Sequence, residues 1–133
     1  MTRTAAVLSA LALSLASGPA LAAPSQKAQD RIPPGLVDGA AARQLVADGV
    51  KVVDVRTPEE FASGHVPGAV NIPYDQMPAR AGELGPPSTP VLVYCRSGRR
   101  SGVAAQTLRE KGYTRLWDLQ AYDRWVASGS KGK

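Results

Sequence analysis

The chain has 133 residues, of which 44% are hydrophobic and 20% are charged, and its formal net charge is +5. These proportions are typical of one ordinary globular domain and exclude a disordered or fibrous chain. The excess of positive charge is modest and no nucleic-acid-binding module is recognisable, so the sequence predicts no nucleic-acid partner.

The first 22 residues have the pattern of a secretory signal peptide. Arg3 supplies a positive charge, an apolar run extends from Ala5 to Ala16, and Ala20-Leu21-Ala22 is a small-residue cleavage site. The apolar run is too short to cross a membrane as a helix. We therefore expect a signal peptide over residues 1–22, a secreted protein that resides in the periplasm, and no stable membrane anchor after cleavage.

The remaining chain divides into a leader, one domain and a tail. Residues 23–34 are polar and end in two prolines, which predicts a flexible leader. We expect the folded domain over residues 35–128. Residues 129–133 are glycine, serine and lysine, and we expect a disordered tail.

The first half of the domain opens with a helix, a strand and a second helix. Asp38 is a suitable N-cap for a helix that runs to Ala47. Lys51–Val55 is almost continuously apolar until Asp54, as expected of a buried parallel strand. The segment Thr57-Pro58-Glu59-Glu60 has the pattern of a capping box with proline in the first helical turn, so it predicts the start of a short helix.

The second half continues the alternation of strands and helices. Ala69–Ile72, Val91–Cys95 and Arg115–Asp118 predict further strands, and Ser101–Lys111 and Ala121–Ala127 predict helices. This order predicts an α/β fold, with a parallel sheet that helices cover on both faces.

The only cysteine, Cys95, stands at the carboxyl end of its strand and precedes an arginine-rich loop. Open α/β sheets place their chemistry at this edge. Backbone amides of a loop that opens a helix stabilise an anion at its centre, and a thiolate is such an anion. The candidate substrate-binding residues are the six that follow: Arg96, Ser97, Gly98, Arg99, Arg100 and Ser101.

An exported chain with a single exposed cysteine favours a reactive role for that residue, since Cys95 has no disulfide partner in its own chain. We therefore expect Cys95 to be catalytic and accessible to solvent. The alternative is an inert cysteine buried in the core.

Four further residues are candidates for structural support of this loop. Asp54 and Arg56 end a strand on the same edge as Cys95, and we expect them to form a buried network with Glu60, because buried charges must be paired. His65 is the only histidine, and a Cys–His nucleophile pair with Cys95 is conceivable. One histidine and one cysteine supply too few ligands for a metal, and no cofactor is predicted.

The segment from Cys95 to Arg100 resembles the active loop of rhodaneses, the sulfurtransferase domains, which is a cysteine followed by a short Gly/Arg-rich turn before a helix. Asp54–Phe61 and Gly64–Pro73 resemble the other signature of that family. The motifs and the segments between them span most of residues 36–128. The resemblance implies a rhodanese-like fold with about five strands, and gives His65 a structural part. It also implies a secreted, single-domain thiosulfate sulfurtransferase.

The resemblance implies a mechanism as well. The Cys95 thiolate would attack the outer sulfur of a small anionic donor and retain it as a persulfide, until a thiol, cyanide or thioredoxin-like acceptor removes it. Three arginines in the loop favour doubly charged thiosulfate over a carboxylate donor such as mercaptopyruvate. Rhodaneses usually have a Gly-Gly pair after the last strand, and Gln120-Ala121 stands here instead. The shape of that wall of the pocket is therefore open.

Two alternative functions stay open at this point. A cysteine phosphatase or arsenate reductase on the same fold would also hold a thiolate in an anion-binding turn. Phosphatase loops resemble cysteine, five residues, then arginine, whereas Ser101 occupies that position here and Arg100 comes one residue early. The second alternative is an accessory module that carries persulfide sulfur, or binds a partner, without turnover of its own.

Overall fold

The computed structural model describes residues 27–129, and these form a five-stranded parallel sheet with helices on both faces. The predicted α/β fold is confirmed. The strands are β1 (Gly35–Leu36), β2 (Lys51–Asp54), β3 (Val70–Asn71), β4 (Val91–Cys95) and β5 (Leu116–Ala121). The helices are α1 (Ala28–Arg31), α2 (Gly39–Ala47), α3 (Pro58–Ser63), α4 (Met77–Arg80), α5 (Arg99–Glu110) and α6 (Tyr122–Gly129). Two 3₁₀ turns, Tyr74–Gln76 and Ala81–Leu84, flank α4.

The sheet has the order β1-β5-β4-β2-β3, so β4 lies at its centre between β2 and β5. All five residues of β4 are buried, as expected of a strand covered on both faces. Successive side chains of a strand point to opposite faces. Val91, Val93 and Cys95 therefore pack with residues of α4 and α5, while Leu92 and Tyr94 pack on the opposite face with residues of α1 and α2.

Local capping explains where the helices begin and end. The Asp38 carboxylate accepts a hydrogen bond from the Ala41 N–H at 2.8 Å, which confirms the predicted N-cap of α2. The predicted capping box at the start of α3 is also present, since Glu60 N–H donates to the Thr57 hydroxyl and Thr57 N–H donates to the Glu60 carboxylate. These caps set the direction in which each helix leaves the edge of the sheet.

The structure differs from the expected flexible leader. Within residues 23–34, Ala28–Arg31 forms a helical turn and Ala28 is buried against the core. The Trp117 indole N–H donates to the Ile32 carbonyl oxygen at 3.0 Å, which ties this segment to β5. Burial of an alanine and the indole hydrogen bond outweigh the polar composition that predicted flexibility.

Some expectations lie outside the described part of the chain. The predicted signal peptide, residues 1–22, is not among the described residues, and of the predicted tail only Gly129 is, at the end of α6. Within residues 27–129, no helix has the length and apolar character needed to cross a membrane.

Candidate active site

Cys95 is the last residue of the central strand β4, and its side chain faces α5. Its exposed fraction is 0%, which contradicts the expectation of a solvent-accessible thiol. The reason is its position. Neighbouring strands cover both sides of β4, and the chain after Cys95 turns back over the sulfur before α5 begins.

The turn over Cys95 aims a backbone donor at the sulfur. Gly98 N–H donates to Cys95 Sγ, with 2.9 Å between nitrogen and sulfur. Gly98 has φ +104°, a backbone conformation that residues other than glycine rarely adopt, and it is the N-cap of α5. The Ser101 hydroxyl, which is buried, donates to the Gly98 carbonyl oxygen at 3.1 Å and so holds the next peptide, between Gly98 and Arg99. The helix N-terminus and this amide together favour negative charge on the sulfur.

The three arginines of the loop are in different situations. Arg96 and Arg99 are exposed, and their guanidinium groups have no hydrogen bond or ion pair with other described residues. Arg100 is half-buried and donates two hydrogen bonds to Glu60, at 2.7 and 3.0 Å. Hydrogen bonding to Glu60 raises the pKa of Arg100 although burial opposes it, and the proximity of Cys95 contributes to the same rise. Arg100 is therefore a fixed positive charge near the sulfur.

The expected network of Asp54, Arg56 and Glu60 is present only in part. Asp54 is completely buried, and its carboxylate accepts hydrogen bonds from the Arg56 side chain at 2.6 to 3.0 Å. Glu60 is paired with Arg100 instead, so the prediction that it joins Asp54 and Arg56 was wrong. Asp54 alone neutralises the buried Arg56, and α3 places Glu60 beside the active loop.

Two tyrosines that the sequence analysis did not single out complete this network. The Tyr94 hydroxyl donates to Asp54 at 2.8 Å and accepts from the Val66 N–H at 3.0 Å. Burial, together with the charge of Asp54, raises the pKa of Tyr94. The Arg56 guanidinium lies over the Tyr122 ring, 4.7 Å from its centroid. The period-2 pattern of β4 places Tyr94 on the face away from Cys95, and was the available indication of its role.

His65 does not form a pair with Cys95. Its exposed ring stacks on Phe61 with 3.7 Å between centroids, and Nδ1 lies 2.9 Å from the Phe61 carbonyl oxygen. Both contacts are with α3. Arg56 also donates to the Gly64 carbonyl oxygen at 2.6 Å, so the segment that carries His65 is tied to the buried Asp54–Arg56 pair.

A polar cavity of about 350 Å³ adjoins the loop. It is lined by Arg56, Glu60, Ser63, Arg96, Tyr122 and Asp123. Since Arg96 directly follows Cys95, this cavity borders the predicted site. A larger groove of about 450 Å³ lies between β1 and α5. It is lined by none of the predicted site residues, so its larger volume is no reason to place the reaction there. No group of three or more His, Cys, Asp or Glu side chains suited to a metal occurs within residues 27–129.

The last strand carries a register irregularity beside the loop. Val93 pairs with Asp118 and Tyr94 pairs with Gln120, so Leu119 is passed over. Asp118 is buried and its carboxylate accepts the Gln120 N–H at 2.8 Å. Burial raises the pKa of Asp118, although the hydrogen bond from that N–H opposes the rise. Gln120-Ala121 therefore lies at the same edge of the sheet as Cys95.

Comparison with known proteins identifies similar sequences. The rhodanese-like domain family matches residues 39–128. The chain is 40% identical over 86 residues to a protein named sulfurtransferase from Allochromatium vinosum, covering 63% of this chain and 79% of that one. It is 34% identical over 108 residues to thiosulfate sulfurtransferase 16, chloroplastic, from Arabidopsis thaliana, covering 72% and 90%.

Two further comparisons concern coverage and structure. The uncharacterized protein YqhL of Bacillus subtilis is 43% identical over 76 residues, which cover 56% of this chain and 60% of that protein. The chain therefore spans less than two thirds of this relative. Among solved structures, the human single domain sulfurtransferase TSTD1 superposes with a TM-score of 0.61 at 29% identity, covering 77% of this chain and 99% of that one.

Proposed function

This chain belongs to the rhodanese-like domain family, and on that premise we propose that it is a sulfurtransferase that moves sulfane sulfur through a persulfide on Cys95. The observation that carries the proposal is the hydrogen bond from Gly98 N–H to Cys95 Sγ at the N-terminus of α5. The names of the relatives from Allochromatium vinosum and Arabidopsis thaliana support sulfur transfer, and the second supports thiosulfate as the donor.

The first step loads sulfur onto the enzyme. The Cys95 thiolate attacks the outer sulfur of thiosulfate and forms a new S–S bond. The S–S bond within thiosulfate breaks, and sulfite leaves with its electron pair. The Gly98 N–H and the end of α5 stabilise the negative charge while it is shared among the sulfur atoms. No general base is required if Cys95 enters the step as a thiolate.

The second step unloads the enzyme. A nucleophilic acceptor, which is cyanide, a thiol or a thioredoxin-like protein, attacks the outer sulfur of the persulfide. The bond between the two sulfurs breaks, and Cys95 leaves as the thiolate that the next cycle needs. No net oxidation occurs, because the sulfane sulfur passes from one nucleophile to another.

The exposed arginines favour an anionic donor. Arg96 and Arg99 carry positive charges at the surface of the loop and are not neutralised by contacts with described acids. They attract a doubly charged anion more strongly than a singly charged one. This supports thiosulfate over mercaptopyruvate, and competing steady-state rates with the two donors test it.

The burial of Cys95 sets a condition on this mechanism. Because the sulfur has no exposed area, Arg96 and Ser97 must move for a donor to make contact with it, while Gly98 keeps its N–H directed at the sulfur. Ser97 is exposed, and neither its hydroxyl nor the Arg96 guanidinium has a hydrogen bond or ion pair with described residues, so displacement of these two side chains breaks no such bond. The ion pair between Arg100 and Glu60 anchors the end of the loop at which α5 begins.

The same anchoring disfavours a phosphatase. A phosphatase loop needs a free guanidinium to hold a phosphoryl group. In this chain Arg100 comes one residue too early, and both of its terminal nitrogens are occupied by Glu60.

The test of the proposed function is thiocyanate release from thiosulfate and cyanide, measured for the natural chain and for Cys95→Ser. We expect activity only in the natural chain, and equal rates would remove Cys95 from the mechanism. Mass spectrometry after incubation with thiosulfate should find one additional sulfur on Cys95. A stable persulfide without turnover would favour an accessory carrier over an enzyme.

We also propose that the chain is exported to the periplasm. The proposal is supported by the signal pattern of residues 1–22, which lie outside the described structure. N-terminal sequencing of protein from the periplasmic fraction should begin at Ala23. Recovery of an intact N-terminus from the cytoplasm would contradict export.

A further inference from the structure

Gln120 has a backbone conformation that glutamine rarely adopts. Its φ is +72°, and within residues 27–129 it is the one residue other than glycine with positive φ. The irregular pairing of β5 with β4 places it there, and the buried Asp118 carboxylate holds its N–H at 2.8 Å. Such conformations persist only where the surrounding structure fixes them, and they cluster at functional sites.

The side chain of Gln120 lies along Gly98. A Cβ placed on Gly98 would be 3.1 Å from the Gln120 Cβ, 3.6 Å from its Cγ and 3.7 Å from its Cδ. The whole stem of the glutamine therefore covers the open face of the glycine. Gly98 is also the residue whose N–H meets Cys95 Sγ at 2.9 Å. Two residues with positive φ, one on β5 and one in the loop, are packed against each other beside the sulfur.

We propose that Gln120 is a positioning residue, whose aliphatic stem holds the Gly98 peptide in place so that its N–H points at Cys95. The side-chain amide of Gln120 has no hydrogen-bond partner among the described residues, while the aliphatic stem makes the contact with Gly98. The catalytic consequence of this inference rests on the proposed sulfurtransferase function. The contact itself does not.

Three variants separate the stem, the amide and the backbone strain. Gln120→Gly removes the stem and also relieves the positive φ, so the domain should be no less stable and its Tm should rise by about 2–5 °C. Gln120→Met keeps a stem of the same length without the amide. Gln120→Ala keeps the strained backbone and only the first atom of the stem.

The primary measurement is the hydrogen exchange of the Gly98 amide, followed by nuclear magnetic resonance on the reduced protein. In Gln120→Gly we expect this amide to exchange about tenfold faster than in the natural chain, because its peptide is no longer held. Gln120→Ala should show the same change, and Gln120→Met should retain the natural rate. The kcat for sulfur transfer should be lowest in the variants whose Gly98 amide exchanges fastest. The KM for thiosulfate should change less, because the Gly98 N–H contacts the sulfur of the enzyme.

A merely structural role for Gln120 predicts that activity and Tm change in the same direction, whereas this proposal predicts lower kcat with a higher Tm in Gln120→Gly. Unchanged Gly98 exchange in Gln120→Gly would overturn the proposal whatever happens to activity. Faster exchange in Gln120→Met would overturn it as well, since the amide would then be the holding group. If the natural chain shows no turnover, the proposed function fails, and the exchange measurement still decides whether Gln120 holds the loop.

Discussion

Glu60 on α3 receives both terminal nitrogens of Arg100, with Nη1 2.7 Å from Oε1 and Nη2 3.0 Å from Oε2. The two residues are 40 positions apart, and their contact joins the helix that follows β2 to the helix that follows Cys95. Two parallel hydrogen bonds fix orientation as well as distance. This ion pair therefore fixes the far end of the turn that covers Cys95.

Arg99→Ala and Arg100→Ala should differ, although the two residues are adjacent. Arg99 has no hydrogen bond or ion pair within residues 27–129, so its removal should raise KM for thiosulfate severalfold and leave the free energy of unfolding within about 0.5 kcal/mol. Arg100→Ala leaves Glu60 unpaired and should cost about 1 kcal/mol, with a lower kcat. Urea unfolding and steady-state kinetics measure both effects. Equal changes in stability for the two variants would contradict the anchoring role of Arg100.

The same ion pair predicts a dependence of stability on pH. Hydrogen bonding from Arg100, partly opposed by burial, lowers the pKa of Glu60 from 4.5 to about 2. A carboxyl with a lower pKa in the folded chain contributes stability above its unfolded pKa and loses that contribution as pH falls from about 4.5 towards 2. Glu60→Gln should remove this part of the pH dependence.

The quantity to follow is the difference in unfolding free energy between the natural chain and Glu60→Gln at each pH. A single protein is not enough, because Asp118 changes stability with pH in the opposite direction. Burial raises the pKa of Asp118, so its contribution is largest at low pH and is lost as pH rises. Asp118 is present in both chains and cancels from the difference in unfolding free energy. If that difference does not change between pH 5 and pH 2.5, Glu60 is not coupled to folding as described.

The order of strands and helices around Cys95 could be predicted because each signal is local. A buried apolar run, a Gly/Arg turn and a helical stripe follow one another directly along the chain. Caps at Asp38 and Thr57 were predictable for the same reason. The strand β1 was not, because two residues, Gly35 and Leu36, are too few to show any periodicity.

The parts of the site that could not be predicted depend on distant partners. The sequence predicted that Glu60 joins Asp54 and Arg56, but the packing of α3 against the loop pairs it with Arg100 instead. In the same way, the irregularity that passes over Leu119 shifts the pairing of β5 with β4 by one residue, and the alternation of apolar and polar residues in the sequence does not predict such a shift. The burial of Cys95 follows from the fold of the turn and not from its composition.

The buried Asp54–Arg56 pair should be among the most sensitive positions in the chain. Asp54→Asn leaves the Arg56 guanidinium buried without a counter-charge, and should cost about 3–5 kcal/mol of unfolding free energy. Tyr94→Phe removes only the hydroxyl that bridges Asp54 and the Val66 N–H, so its cost should be about 1–3 kcal/mol. Chemical denaturation compares the two directly. A smaller effect for Asp54→Asn than for Tyr94→Phe would show that Arg56 finds another partner.

Gly98→Ala should abolish most activity while the chain stays folded. The new methyl group would stand 3.1 Å from the Gln120 Cβ, and the positive φ of Gly98 disfavours any side chain, so we expect a loss of about 1–2 kcal/mol in stability. The peptide must shift to relieve the contact, which moves the N–H away from Cys95 and should lower kcat about tenfold or more.

Gly102→Ala is the matched control, since the same methyl group in α5 meets nothing within 4 Å and should stabilise the helix by about 0.5–1 kcal/mol with unchanged kcat. The double variant Gly98→Ala with Gln120→Gly removes the steric contact but restores no support for the peptide. Its stability should therefore recover in part while its kcat stays low. Recovery of both would show that steric exclusion alone, and not the direction of the Gly98 N–H, limits sulfur transfer.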